Sequence, residues 1–413
     1  MYDLVVRGGT VVDGTGREPF VGDIAIHDGR VAEVGSVSQR GREEIDATGK
    51  IVTPGFVDIH THYDGQATWD SVLTPTAWHG VTTLVMGNCG VGFAPVAPGK
   101  QEFLIGLMEG VEDIPGTALS EGLSWNWESF PDYLDALEAT PRDIDVATLL
   151  PHGPLRVYVM GERAIAREAA SDEDVARMRE LLSEGLAAGA VGFSTSRTMA
   201  HRTHSGDYTP MFRAATRELK RLGEGLSGHR GRVFQMVSDF DEPEEEFDIL
   251  RHVTRETGNR GTFTLVQIDH EPDFWKDQLR RVADAQEQGL DIRGQVIDRP
   301  IGMLMGFDTT LNPFCARPTY RALADLPREQ RAAELARPEV RERILGEADE
   351  NPPLFISYFA SSHDLMFPLE HPLDYLPPHE HSAAARAEQD GRDVEAWLYD
   401  WLLRDECRSL IYV

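Results

Sequence analysis

From about residue 51 the chain alternates short apolar runs with longer amphipathic segments. Seven of these runs are rich in β-branched or aromatic residues and are bounded by turn residues, a pattern typical of buried strands. In chain order, as strands one to seven, they are GFVDIH, VTTLVMG, DVATLLPHG, GAVGFSTS, RVFQMVSD, TFTLVQIDH and DIRGQVIDR. The segments between them predict helices; in SDEDVARMRELLSEGLAAG, for example, Ser171 can cap the start and Gly189 follows the end. Strands that alternate with helices predict a parallel sheet of βαβ units.

This order of elements predicts the α/β class and a TIM-like (β/α)8 barrel, an architecture that needs eight strands. After strand seven, residues from about 310 to 405 are rich in Pro, Arg and Glu and predict a long insertion. The chain stops at CRSLIYV, an apolar run with no turn behind it, so we expect a barrel truncated before its last strand. Unpaired edges on strands one and seven would make the chain poorly soluble or favour a homo-oligomer.

Residues 1–52 follow a different pattern. Three β-rich runs, DLVVRGGTVVDG, GDIAIHDGRVAEVG and EEIDATGKIVTPG, are punctuated by glycine and Asp-Gly turns. They predict a small sheet that is too small to be stable alone. We therefore divide the chain into an N-terminal β module, residues 1–52, and a barrel, residues 53–413.

Charge and cysteine content narrow the class of protein. The 69 acidic side chains outnumber the 40 basic ones and give a formal charge of -29, which disfavours binding to nucleic acid or to anionic membranes. No apolar run approaches the roughly 20 residues that a membrane helix needs. Three widely separated cysteines and an N-terminus without a secretion-signal pattern lead us to expect a cytoplasmic protein.

The segment PGFVDIHTHYDGQ, residues 54–66, contains two histidines at the end of an apolar strand. Because alternate residues of a strand share a face, His60 and His62 are expected to point into one site. Strand two continues into MGNCGVGFAP, which places Cys89 in a glycine-flanked loop at the same end of the sheet. Zinc accepts imidazole nitrogen and thiolate sulfur readily, so the three residues predict a zinc site. Asp58 is expected either to orient a histidine or to form a turn.

These residues also have structural interpretations. A buried, hydrogen-bonded pair is the alternative role of His60 and His62, and a small buried apolar side chain is the alternative role of Cys89. In AHRTHSGDYTP, His201 and His204 belong either to a solvated loop or to substrate contacts. The aromatic run SWNWESFPDYL predicts packing against the barrel or, alternatively, a lid over a ligand.

The segments GFVDIHTHYDGQ, GVTTLVMGNCGVGFAPV, GAVGFSTSR and LVQIDH resemble the amidohydrolase superfamily, and within it the N-acyl-D-amino-acid deacylases, or D-aminoacylases. The resemblance implies that residues 1–52 form the N-terminal part of a small β-sandwich. It also implies zinc held by the cysteine of the second motif and by histidines of strands five and six. The strand-one histidines then supply a second, weaker metal position, and an aspartate of strand eight acts as general acid and base.

The metal ligands that the resemblance implies for this chain are His60, His62, Cys89 and His270. Strand five departs from the family pattern, because VFQMVSDF has Val237 and Ser238 where a histidine is expected. Asp239, the next residue, is expected to stand in partly and to support the metal site without binding the metal itself. The catalytic residue stays unknown, because the expected strand-eight aspartate would lie beyond the end of the chain.

The implied reaction is hydrolysis of the amide bond of a small N-acyl amino acid, of D configuration, by a zinc-activated water. The substrate carboxylate needs a cation, and Arg197 or Arg299 at a strand end is expected to supply it through a two-pronged contact. A cyclic amide hydrolase such as a hydantoinase or dihydroorotase is an alternative, but many of these use a strand-four lysine, which GAVGFSTS lacks. The other alternative is an inactive chain without the strand-eight aspartate.

Overall fold

The computed structural model describes residues 1–268, 271–297, 302–309, 311–350, 352 and 362–413. The chain forms two compact units, Met1–Val296 and Ile297–Val413, called here the N-terminal and C-terminal units. The predicted ligand His270 and the predicted substrate anchor Arg299 lie outside the described residues.

The N-terminal unit begins with a five-stranded sheet. Its strands are β1 Tyr2–Val11, β2 Phe20–His27, β3 Arg30–Gly35, β4 Gly41–Asp46 and β5 Ile51–Val52. The order is β3-β2-β1-β4, and β5 also pairs with β1. Val5, Ala25 and Val37 form the buried apolar cluster of this sheet. Such a small core agrees with the prediction of a sheet that depends on its neighbours for stability.

A second sheet contains seven parallel strands in chain order. They are β6 Phe56–Asp58, β7 Val81–Met86, β8 Asp145–Pro151, β9 Gly192–Ser196, β10 Val233–Val237, β11 Arg260–Thr264 and β12 Ile292–Gln295. Each lies within one of the seven apolar runs or overlaps it, so the α/β class and the parallel βαβ arrangement are confirmed. The division of the chain at residue 52 stays a prediction.

Nine helices of the N-terminal unit are described. They are α1 Gln101–Glu112, α2 Gly116–Gly122, α3 Phe130–Glu138, α4 His152–Met160, α5 Glu162–Ile165, α6 Asp172–Ala188, α7 Thr216–Gly223, α8 Pro243–Thr257 and α9 Phe274–Glu287. Helix α6 begins as its sequence predicts, because the Ser171 hydroxyl accepts from the Asp174 amide at 3.1 Å. The Asp174 carboxylate accepts from the Ser171 amide at 2.8 Å in return. No described helix of the chain is long and apolar enough to cross a bilayer.

The parallel sheet is strongly curved. His60 follows β6 at one edge and Gln295 ends β12 at the other, yet His60 Nδ1 lies 2.9 Å from Gln295 Oε1. Seven strands at about 4.8 Å spacing would separate the edges of a flat sheet by roughly 29 Å. The carboxyl ends of the strands therefore surround one common region at the same end of the curved sheet, as they do in a barrel. On edge strand β6, Phe56 and Val57 are largely exposed.

The C-terminal unit has its own hydrophobic core, which includes Phe307, Phe314 and Tyr399. Its strands β13 Leu304–Gly306, β14 Phe367–Pro368 and β15 Leu410–Tyr412 form an antiparallel sheet with β15 in the centre. Its described helices are α10 Pro318–Ala324, α11 Arg328–Leu335, α12 Pro338–Gly346, α13 Ala383–Gln389, α14 Val394–Leu402 and α15 Arg404–Cys407. The apolar run at residues 410–412 thus finds its partners within this unit.

Candidate metal centre

Two histidines lie just beyond the carboxyl end of β6. The sequence predicts a strand that reaches His60, but β6 ends at Asp58, whose Oδ1 accepts from the His60 amide at 3.2 Å. The rings of His60 and His62 still lie side by side, with centroids 5.4 Å apart. Asp58 therefore shapes the turn that carries His60 and contacts its backbone rather than its ring.

Cys89 is buried in the tight turn that follows β7, and its own φ is 57°. The turn begins at Gly87, where φ is 73° and an added Cβ would lie 2.1 Å from the Leu149 carbonyl oxygen. The Cys89 amide donates to Gln235 Oε1 of β10 at 3.1 Å. Only a residue without a side chain fits at Gly87, and this close approach sets the position of the cysteine.

The structure brings together three of the predicted ligands. One donor atom from each of His60, His62 and Cys89 lies within 4.8 Å of the other two, and His60 Nε2 is 3.0 Å from Cys89 Sγ. Gln295 Oε1 accepts from Nδ1 of His60, which leaves Nε2 with the lone pair that a metal needs. Sequence reasoning missed Gln295, because its partner lies 235 positions away along the chain.

Two further side chains reach the same place. Glu112, the last residue of α1, has Oε1 3.2 Å from His62 Nε2. His201 lies in the segment after β9, with Nδ1 2.9 Å from Ser196 Oγ. Donor atoms of Cys89, Glu112 and His201 also lie within 4.8 Å of one another. The sequence pattern places His201 in a loop near the site, but it carries no signal for Glu112, which ends an amphipathic helix.

Burial holds the imidazoles neutral. It lowers the pKa of His60, and it lowers the pKa of His62 well below its usual value, with a further contribution from the neighbouring imidazoles. Burial likewise lowers the pKa of His201 to about 4. Neutral imidazoles are the form that binds a metal ion.

The acidic groups of the site are shifted in the opposite direction. Burial, with the charge of Asp64 beside it, raises the pKa of Glu112 to about 8. Burial also raises the pKa of Asp64 to about 7 and that of the Cys89 thiol well above its usual value. Low-dielectric surroundings penalise each negative charge, and a divalent cation beside these groups would reverse the penalty.

The residues present fit a zinc ion. His62 Nδ1 is buried and makes no hydrogen bond within the described part of the chain, and the same is true of Asp64 Oδ2. Buried polar atoms normally have partners, so these orphaned atoms mark a place where a ligand is expected. Nitrogen, sulfur and carboxylate oxygen are the donors that zinc takes.

Arg197, the other predicted anchor, is engaged inside the protein. Its Nε donates to Glu246 Oε1 at 3.1 Å and its Nη1 donates to the Ala214 carbonyl at 2.7 Å. The side chain is buried, so these contacts favour a structural role over the predicted contact with a substrate carboxylate. The Glu246 carboxylate thus lies beside the Arg197 guanidinium, where a substrate carboxylate was expected.

Asp239 lies behind the site rather than in it. Its carboxylate accepts from the Thr198 hydroxyl and, at 2.7 Å, from the Met199 amide. These bonds fix the backbone that leads to His201. The supporting role of Asp239 at the metal site stays a prediction. The aromatic run is also structural in part, because buried Trp127 donates its indole N–H to the Phe93 carbonyl at 2.9 Å.

Comparison with known proteins agrees with this geometry. Residues 43–354 match the model of the Amidohydrolase family. D-aminoacylase of Alcaligenes xylosoxydans xylosoxydans is 36% identical over 231 residues, which are 56% of this chain and 43% of that protein. The chain spans less than half the length of the curated relatives it matches.

Solved structures share the fold. A structure of D-aminoacylase, from work on its binuclear metal centre, covers 100% of this chain and 71% of its own, with a TM-score of 0.61 at 23% identity. N-acyl-D-glutamate deacylase from Bordetella bronchiseptica, in complex with zinc and a phosphonate inhibitor, covers the same shares with a TM-score of 0.57 at 24% identity. With its family match spanning more than half of its 413 residues, the chain belongs to the amidohydrolase family and is D-aminoacylase-like.

Proposed function

We propose that this chain carries a zinc centre that serves hydrolysis of the amide bond of linear N-acyl amino acids of D configuration. The observation that carries the proposal is the convergence of His60, His62 and Cys89 at the carboxyl ends of the parallel strands. That edge of a barrel-like sheet is where active sites are built. The names of the relatives, D-aminoacylase among them, support the choice of substrate class.

Each residue of the site has a definable task. A zinc ion held by these ligands would supply a Lewis acid and make water nucleophilic near neutral pH. His60 presents Nε2 because its Nδ1–H donates to Gln295, so the ring keeps one orientation and one tautomer. Cys89 supplies a negative donor from a turn that Gly87 and Gln235 hold in place.

A cyclic amide hydrolase with a lysine on the fourth barrel strand is disfavoured. Strand β9, Gly192–Ser196, contains no lysine. Lys100, Lys220 and Lys276 form ion pairs with neighbouring carboxylates and belong to other elements. The lysine-bridged two-metal chemistry of that class therefore has no counterpart among the described residues of β9.

The first test is elemental analysis of the purified chain beside Cys89→Ser and His60→Ala. We expect about one zinc per chain, lost or strongly reduced in both variants because each removes a ligand. Cys407→Ser is the matched control, since Cys407 is also buried but belongs to the C-terminal unit. Release of free amine from N-acetyl D- and L-amino acids is then measured for the zinc-loaded protein.

The proposal has clear contrary outcomes. Protein that is folded by circular dichroism but holds no zinc would refute the metal centre. Zinc that survives both ligand variants would show that it binds elsewhere. Equal hydrolysis of D- and L-substrates would refute the stereochemical part alone.

A further inference from the structure

The turn that carries Cys89 has an unusual backbone conformation. Gly87, Cys89 and Gly90 all have positive φ, at 73°, 57° and 71°. Glycine adopts this left-handed region freely, but for a cysteine it is uncommon and unfavourable. A strained residue of this kind persists only where its surroundings hold it, and such residues cluster at functional sites. The contacts that hold Cys89 therefore bear on the function of the chain.

Ser194 of β9 bridges the two ends of this turn. Its Oγ accepts from the Gly90 amide at 3.0 Å and donates to the Gly87 carbonyl oxygen. The order of the strands is β9-β8-β7, so the Ser194 side chain reaches across β8 to a turn that follows β7. One fully buried hydroxyl thus serves the turn both as acceptor and as donor.

Gln235 of β10 holds the residue between those ends. Its Oε1 accepts from the Cys89 amide at 3.1 Å, and the Gln235 side chain is fully buried. Ser194 and Gln235 are direct neighbours in the register of β9 and β10, so their side chains lie on the same face of the sheet. Two adjacent strands therefore supply the acceptors for two consecutive amides of the turn.

These contacts are costly to lose because the turn is buried. Asn88, Cys89 and Gly90 all have low solvent exposure, so water has little access to replace a missing partner. A buried amide without an acceptor disfavours the conformation that leaves it unpaired. Loss of either side-chain acceptor is therefore expected to release the turn locally.

We propose that Ser194 and Gln235 are positioning residues, which hold Cys89 in its left-handed conformation and so direct its thiolate toward the metal. The inference rests on the proposed zinc centre, in which Cys89 is a ligand. Side chains that contact a metal ligand, rather than the metal, govern metal affinity by fixing the orientation of that ligand. Here the two residues act through the backbone of the turn, and neither needs to touch the metal or the substrate.

The first test needs no metal. The chain is stripped of metal with a chelator and treated with iodoacetamide, and alkylation of each cysteine is followed by peptide mass spectrometry. Cys89 is buried, so it reacts when the turn opens locally. Ser194→Ala and Gln235→Met should raise the alkylation rate at Cys89 roughly tenfold or more, because each leaves a buried amide unpaired. Cys407, buried in the C-terminal unit, should react at its wild-type rate in both variants.

Two control variants separate positioning from general stability. Ser171→Ala also removes a serine hydroxyl that accepts from a backbone amide of the N-terminal unit, at the start of α6. It should lower the stability of the fold but leave the alkylation rate at Cys89 unchanged. Ser194→Thr keeps a hydroxyl at the same position and should react more slowly at Cys89 than Ser194→Ala does.

The second test uses the metal. Zinc affinity is measured by competition with a chelator, and Co²⁺ in place of zinc reports on the Cys89 thiolate through its charge-transfer band. Ser194→Ala and Gln235→Met should bind zinc about 10- to 100-fold more weakly than the wild type, with a weaker or displaced cobalt band. Ser171→Ala should bind as the wild type does, and Ser194→Thr should bind more tightly than Ser194→Ala.

The results that overturn this inference differ from those that overturn the proposed function. Equal alkylation of Cys89 in the wild type and Ser194→Ala would overturn it, and so would equally fast alkylation in Ser171→Ala. Wild-type zinc affinity in both Ser194→Ala and Gln235→Met would overturn it as well. A folded wild type that binds no zinc would remove the metal centre. Slow alkylation in that protein and fast alkylation in the two variants would still show that the pair holds Cys89.

Discussion

A buried network of three side chains offers a quantitative test of the electrostatics of this fold. Glu218 of α7 lies with Oε1 3.0 Å from His152 Nε2 and 2.8 Å from Arg156 Nε. The three side chains are at most 3% exposed. Thr195 Oγ1 lies 2.9 Å from His152 Nδ1, so a neutral ring with the proton on Nε2 satisfies both contacts. The positive charge of Arg156 and the negative charge of Glu218 then balance each other inside the protein.

The size of the effect follows from the pKa of Glu218. Burial alone would raise this pKa, but hydrogen bonds from His152 and Arg156 and the charge of Arg156, joined by that of His152 once acid protonates its ring, reverse the effect and lower it from 4.5 to about 2. A difference of this size is worth about 3 kcal/mol of folding free energy when the carboxylate is ionised. We therefore expect Glu218→Gln to lower the free energy of unfolding by about 3 kcal/mol near neutral pH.

The sign of the pH dependence is also determined. The pKa of Glu218 is lower in the folded state than in the unfolded chain. The ionised carboxylate therefore stabilises the fold fully above pH 4.5, and this stabilisation is lost as pH falls toward about 2. Burial lowers the pKa of His152 as well, so the unfolded chain binds that proton first and acid again favours unfolding. The stability gap between wild type and Glu218→Gln should therefore narrow as pH falls below about 4.5.

Urea denaturation followed by tryptophan fluorescence, from neutral pH down to about pH 3, measures this gap. Glu180→Gln is the control, because the Arg177–Glu180 pair has the same charges but its side chains are 51% and 65% exposed. Removing this exposed ion pair should change the free energy of unfolding by less than about 1 kcal/mol. A Glu218→Gln variant no less stable than the control, or a gap that does not depend on pH, would refute the reasoning.

Two further predictions concern the metal centre. Gln295→Leu removes the acceptor for His60 Nδ1–H, so zinc affinity should fall about 10- to 100-fold in a chelator competition while the fold persists. Gly87→Ala would place a Cβ 2.1 Å from the Leu149 carbonyl oxygen, so both zinc content and melting temperature should fall. Gly99 also has a positive φ, but no atom lies within 4 Å of an added Cβ. Gly99→Ala should therefore lower the free energy of unfolding by only about 1–2 kcal/mol and keep its zinc.

A matched glutamine tests the specificity of the first of these effects. Gln288 is exposed, and its Oε1 accepts only a long 3.4 Å bond from Arg255. Gln288→Leu should leave zinc affinity unchanged. Equal affinities in Gln295→Leu and Gln288→Leu would show that the contact with His60 does not support metal binding.

Local pattern was sufficient for the secondary structure of the barrel-like sheet. Strand and helix periodicity, together with caps such as Ser171, depend on residues close in sequence, and the seven strands and α6 occur where these signals lie. The convergence of His60, His62 and Cys89 was predictable for a related reason. Parallel strands end at one edge, so residues that follow neighbouring strands must meet there.

The rest of the site depended on tertiary structure. Glu112 ends a helix whose sequence only requires an apolar face, and Gln295 meets His60 only because the sheet curves until its two edges approach each other. The same folding turned Arg197 inward to Glu246, a pairing that no spacing in the sequence encodes. By itself the sequence determined which elements form and which loops share an edge, because those signals are local. Which side chains touch was decided by the curvature of the sheet and the packing of helices on it, and these depend on contacts across the whole unit.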